Sequence, residues 1–137
     1  MPNLSSMILP ILVVAPSEKR GRGIFTTEPL PANTVIEISP VLVLSAKERK
    51  QVEKTVLYNY LFEWGKKGKK GCVAWGYLSI YNHSYHANCE YEMDFESQLM
   101  TVRTVKAVAK GEELFVNYNA GVDDETPVWF KTAEELG

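Results

Sequence analysis

The sequence predicts a β-rich α+β domain of short strands with one main helix. Three observations predict it. Short β-branched or alternating runs bounded by Gly, Pro and Asn recur along most of the chain. Only one segment, at 45–57, carries apolar residues at helical spacing. The length of 137 residues suits one hydrophobic core and would cramp two.

Taken in order, "ILPILVV" predicts a first strand over 8–14, and "GRGIFTT" a glycine turn followed by a strand over 23–27. "PLPANTVIEI" predicts a turn and a strand over 34–38, with "VLVL" (41–44) a further strand after Pro40. Ser45 with Glu48 forms a capping-box pattern. Val52, Val56, Leu57 and Tyr60 follow at helical spacing, so the helix is expected over 45–57, with the aromatic stretch 58–64 leaving it as a strand. "GKKGKKG" (65–71) reads as a loop, and "CVAW" (72–75) as a buried strand. "EYEMD" (90–94) and "LMTVRTVK" (99–106) predict a hairpin across "FESQ", and "ELFVNY" (113–118) the last strand. "PLPANTVIEI" and "AVAKGEELFV" echo each other, each a tight turn running into a strand, but the echo is too short for a repeat architecture.

Composition narrows the function classes. Hydrophobic residues make up 45% and charged residues 23%, which argues against disorder. The net charge of −2 provides no overall basic field for DNA or RNA, so no direct nucleic-acid partner is expected, and a basic peptide is tolerated. Two cysteines cannot build a disulfide scaffold and read as reduced thiols. The apolar run Met7 to Ala15 is shorter than the ~20 residues a bilayer span needs, and no positive residue precedes it. The expectation is a soluble, cytoplasmic protein with neither transmembrane segment nor signal peptide, or a nuclear, host-chromatin one if it is viral or an effector.

Polar groups crowd into "SIYNHSYHANCEYEMD" (79–94), which holds both histidines and one cysteine. His83, His86 and Cys89 at i, i+3, i+6 are zinc-ligand types, with Cys72 the only plausible fourth, but no C-x-x-C occurs. Cys89 or Ser84 with a histidine base is a possible nucleophile pair, yet no glycine elbow or third orienting group stands out. Hydrogen-bonded loop residues are the plainer reading. "GRGIF" permits close backbone approach to a ligand, but no long helix follows as a dinucleotide fingerprint requires. The lysines of 65–71 read as a solvated loop, or else as a contact for an acidic partner. Tyr58, Tyr60, Tyr118 and Trp129, taken singly, read as core or rim aromatics.

Their order is more specific than any one of them. "GRGIF", then a helix with "YNYLF", then "NHS", then a hairpin, then "GEELFVNY" resembles the SET domain of protein-lysine methyltransferases, most closely the minimal single-domain proteins of viruses and bacteria. The likeness covers roughly 9–130. It implies a β-clip-like fold of small curved sheets with a knot-like C-terminal crossing that brings Asn82 and Tyr118 together. It implies one domain over 1–137, with a core of about 9–119 and a tail, 120–137, that closes a lysine channel. The implied cofactor is S-adenosyl-L-methionine, held by Arg20, Gly21, Arg22, Gly23, Asn82, His83 and Tyr118. The implied catalytic residues are Tyr118 and Tyr60, and the implied channel is lined by Tyr60, Tyr118 and Trp129, with Phe130 as an alternative to Trp129. The implied partner is a lysine-containing basic protein tail such as a histone's, and the implied assembly a homodimer. Tyr85, Ala87 and Asn117 stand where many members have Cys, Pro and Asp, and the C-terminal zinc-binding cysteines of larger members are missing, so no metal is expected.

Overall fold

The computed structural model describes residues 6–18 and 20–118. The expected first strand is split into β1 (Met7–Ile8) and β2 (Leu12–Ser17). Pro10 lies in the turn between them, which closes with Leu12 N–H donating to the Leu9 carbonyl at 3.1 Å. β1 pairs with β4, and β2 with β3 (Gly21–Thr26), so a single apolar run serves two ladders. The glycine turn lies one step earlier than expected. β3 starts at Gly21, which pairs with Ser17 and takes φ of +68°.

β4 (Val35–Leu44) is one ten-residue strand, not two. Its first half pairs with β9 (Leu99–Thr104) and its second, from Val41, with β6 (Lys70–Ala74). Pro40 sits where the strand passes from one ladder to the other, a position where a missing N–H costs little. The helix is shorter than 45–57. α1 covers Ala46–Val52, with both bonds of the Ser45–Glu48 capping box present. Thr55, extended at φ −119°, ends the helical path and caps a separate 3-10 turn over Val56–Tyr60 by accepting from Leu57 N–H. The apolar residues that suggested a longer helix therefore do not form one buried stripe, and Val56 remains 74% exposed.

β5 (Phe62–Trp64) and β6 form a hairpin around the lysine loop. Arg49 on α1 braces that loop, donating from Nη1 to the carbonyls of Gly68 (2.8 Å) and Lys70 (3.1 Å). β8 (Cys89–Asp94) and β9 form the predicted hairpin, in register from Cys89↔Thr104 to Asp94↔Leu99. The two echoing turns lie side by side, with Leu30 and Val108 exchanging backbone bonds of 2.9 and 2.8 Å.

The last strand, β10 (Glu113–Val116), positions the site. Its start pairs antiparallel with β3, and its end runs parallel to β7 (Asn82–His83) and β8. Asn88 completes the seam: Nδ2 donates to the Glu113 carbonyl (2.9 Å), and Oδ1 accepts from Phe115 N–H (2.8 Å). This insertion is what brings 82–83 to 116–118. The core beneath it is built on Ile24, Ile36, Leu78, Tyr81, Met100 and Leu114, all fully buried. No helix among the described residues is long and apolar enough to cross a membrane.

Candidate functional site

Tyr118 follows β10 directly and is fixed at three atoms. Its N–H donates to His83 Nδ1 at 3.0 Å, its carbonyl accepts from Tyr91 Oη at 3.2 Å, and its own Oη donates to the Tyr81 carbonyl at 2.6 Å. A His83 Nδ1 that accepts a bond leaves the ring proton of the neutral imidazole on Nε2. The His83 ring is buried between Tyr85 (centroids 4.5 Å, 88°) and Tyr118 (5.4 Å, 60°). Tyr85 thus packs on the histidine. Burial pushes the Tyr118 phenol up to about 12, with the Arg20 cation pulling it back and Tyr60 adding to the rise. The phenol is therefore neutral at physiological pH.

Asn82 is held by its neighbours as firmly. Its Nδ2 donates to the Arg22 carbonyl (3.1 Å) and to Glu113 Oε2 (2.7 Å), while Glu113 Oε1 accepts from Ser17 Oγ (2.7 Å). A Cβ on Gly23 would collide with the Glu113 carboxylate and stand 2.9 Å from Asn82 Nδ2, so glycine is needed here for close approach. Gly21, by contrast, faces open space. The structure therefore joins Gly21, Arg22, Gly23 and Asn82 in one cluster, with His83 and Tyr118 beside it.

A cleft of about 780 Å³ is lined by Tyr118. Its aromatic wall comprises Tyr58, Tyr60, Phe62, Tyr91 and Tyr118, and its mouth carries Arg49, Glu53, Glu63, Lys66 and Lys67. Tyr60 and Tyr118 thus face the same space. Trp129, Phe130 and the proposed closing tail lie outside the described residues.

The cysteine-nucleophile alternative does not find its geometry. Cys89 is fully buried, and burial pushes its thiol up to about 12, as it does that of Cys72. His83 is buried while His86 is exposed. Among the described residues, no group of three or more His, Cys, Asp or Glu is placed to hold a metal ion.

The sequence reading missed a second carboxylate centre. Glu37 is fully buried. Its Oε2 accepts from Ser39 Oγ (2.6 Å) and Tyr77 N–H (2.8 Å), and its Oε1 from Tyr81 Oη (2.8 Å). Burial raises its carboxyl above the ordinary value, while bonds from Ser39, Tyr81, Tyr77 and Leu78 pull it back. The available signal was a glutamate inside the β-branched run "VIEI", where Ile36 and Glu37 are adjacent and both buried.

Comparison with known proteins identifies the family and the fold. A family model described as SET domain matches residues 21–119. The chain is 39% identical, over 78% of its length and 72% of the relative's, to "Histone-lysine N-methyltransferase, H3 lysine-37 specific" of Schizosaccharomyces pombe. Among solved structures it is similar to a candidate histone methyltransferase of Plasmodium falciparum, at 26% identity and a TM-score of 0.63, over 81% of this chain and 95% of that one. An apo PRC2 structure with two substitutions in Ezh2 shares the fold, at 20% identity and a TM-score of 0.65, over 78% of this chain and 15% of that one.

Proposed function

The chain belongs to the SET domain family, and from that premise we propose that it methylates lysine ε-amines of a basic protein such as a histone, using S-adenosyl-L-methionine. It is a protein-lysine N-methyltransferase. The observation that carries the site assignment is the triple fixation of Tyr118 between the Asn82–His83 strand and the aromatic cleft.

The residues present fit the cofactor. Asn82 is locked against the backbone of the glycine turn, and open space beside Gly21 lets a ligand approach that backbone closely. The separate aromatic cleft, whose rings suit a cation, is kept for the lysine side chain. Asn82, His83 and the 20–23 turn would hold S-adenosyl-L-methionine, which when bound supplies an electrophilic methyl group.

The protein's own groups do the rest. A lysine ε-amine has a free pKa of ~10.4 and is a nucleophile only when neutral. The aromatic wall of Tyr58, Tyr60 and Tyr91 would strip water from the cation and lower that pKa. Because the Tyr118 O–H is spent on the Tyr81 carbonyl, its oxygen turns lone pairs elsewhere and accepts from the amine N–H groups. A phenol pushed up to about 12 is no proton sink at neutral pH, so Tyr118 orients while the proton passes to water. Tyr118 is bonded to His83 through its backbone N–H and lines the cleft together with Tyr60, which suits a residue that touches both ligands.

Radiolabelled methyl transfer onto a histone panel, with mass mapping of the product, tests the reading. Label on a lysine is expected, together with a higher melting temperature at saturating S-adenosyl-L-methionine. The absence of both label and thermal shift would reject it. One variant probes the cofactor side. Glu113→Ala removes one of the two acceptors that hold Asn82 Nδ2, the other being the Arg22 carbonyl, and we expect cofactor affinity to fall about tenfold, read by calorimetry. Unchanged affinity would remove Glu113 from the cofactor site.

A further inference from the structure

One short turn is bonded to Tyr60, Tyr118 and Glu37. The chain folds over 77–81, with Ile80 N–H donating to the Tyr77 carbonyl at 2.7 Å and Tyr81 N–H at 3.3 Å. Two residues that line the cleft, Tyr60 and Tyr118, are bonded to this turn. Ser79 Oγ donates to the Tyr60 carbonyl at 2.9 Å, and the Tyr81 carbonyl accepts the Tyr118 phenol at 2.6 Å. A single side chain grips the turn at both ends. The Glu37 carboxylate takes the Tyr77 N–H at the start and the Tyr81 hydroxyl at the finish.

We propose that Glu37 is a positioning residue for methyl transfer, fixing the turn 77–81 and through it the Tyr118 phenol and the Tyr60 wall. This rests on the methyltransferase reading above.

The bonding pattern supports a role beyond packing. Every bond at Glu37 is one that the carboxylate accepts, from two hydroxyls and from backbone N–H groups. Such a centre is rigid, because backbone N–H groups cannot reverse and offer no alternative arrangement. An apolar side chain would fill the space but would release both ends of the turn. The Tyr81 carbonyl could then shift without any loss of the fold, and with it the direction in which the Tyr118 oxygen presents its lone pairs. Displacements of this kind at the reacting centre act on the rate of the chemical step more than on binding.

Two variants test this, with the unmodified protein as reference. Tyr81→Phe removes one hydroxyl and keeps the ring in the core. Glu37→Gln keeps one acceptor oxygen for the Tyr77 N–H and lets the Tyr81 hydroxyl rotate to accept from the amide. In Tyr81→Phe we expect kcat to fall about tenfold, with the peptide KM and the cofactor-induced melting shift unchanged. Glu37→Gln should lose less, since the turn stays held at its start. Full kcat in a folded Tyr81→Phe protein overturns the proposal and leaves the methyltransferase reading intact. A parallel fall in kcat, peptide affinity and cofactor shift also overturns it, since that is the signature of general loosening. Absence of transfer by the unmodified protein is instead a failure of the functional reading, and the proposal falls with it.

Discussion

Tyr118→Phe is expected to lower kcat for methyl transfer by about 10²-fold or more, in line with removal of one preorganised polar group at a reacting centre. The substitution deletes a single oxygen. The backbone bond from Tyr118 N–H to His83 Nδ1 and the ring contact with His83 at 5.4 Å remain, so the fold and the cofactor-induced melting shift should persist. Only the 2.6 Å bond to the Tyr81 carbonyl and the acceptor lone pairs are lost. The pH profile separates orientation from base catalysis. Only a neutral lysine attacks, so the rate should rise with pH until the substrate amine has titrated. Because burial pushes the Tyr118 phenol up to about 12, ionisation of that group should not contribute to this limb. The rising limb should therefore appear in both proteins, at a lower level in the variant. If the variant loses the pH dependence, Tyr118 is acting as the base; if it keeps full activity, the phenol has no role.

The parts of this fold that were legible in the sequence were set locally. The Ser45–Glu48 box lies within one helical turn, and the β8–β9 hairpin within one short connection, so each carries its own signal. Boundaries failed where a tertiary partner or one capping residue decided them. Pro40 suggested two strands, but the two ladders on either side of it let one strand run through. Thr55 stopped a helix that apolar spacing alone would have continued. At the site, Asn82, His83 and Tyr118 were legible through the resemblance. Glu37 and Glu113 were not, because their meaning lies in partners far along the chain: Tyr81 is 44 positions from Glu37, and Ser17 is 96 from Glu113. A carboxylate in an apolar run signals burial without saying what it holds.

Gly76→Ala is the substitution expected to cost most in stability. A Cβ at this position would overlap both Ser39 Oγ and Glu37 Oε2, and it would lie 3.2 Å from Ser39 Cβ. Neither oxygen can withdraw without breaking a bond, because Ser39 Oγ donates to Glu37 Oε2 at 2.6 Å, and that same Oε2 receives the Tyr77 N–H at 2.8 Å. The methyl group thus forces a buried carboxylate away from its donors, an overpacking and an unsatisfied-polar penalty at one site, together about 2–4 kcal/mol. Gly21→Ala is the instructive contrast. There φ is +68° and nothing lies within 4 Å, so only backbone strain opposes the methyl, at about 1 kcal/mol. Denaturant midpoints for the two variants should rank accordingly. Adding Ser39→Ala to Gly76→Ala should restore part of the loss, since it removes one of the two obstructing oxygens. A Gly76→Ala protein as stable as the original would mean that the carboxylate has room to move, and a carboxylate free to move cannot hold the turn that carries Tyr81.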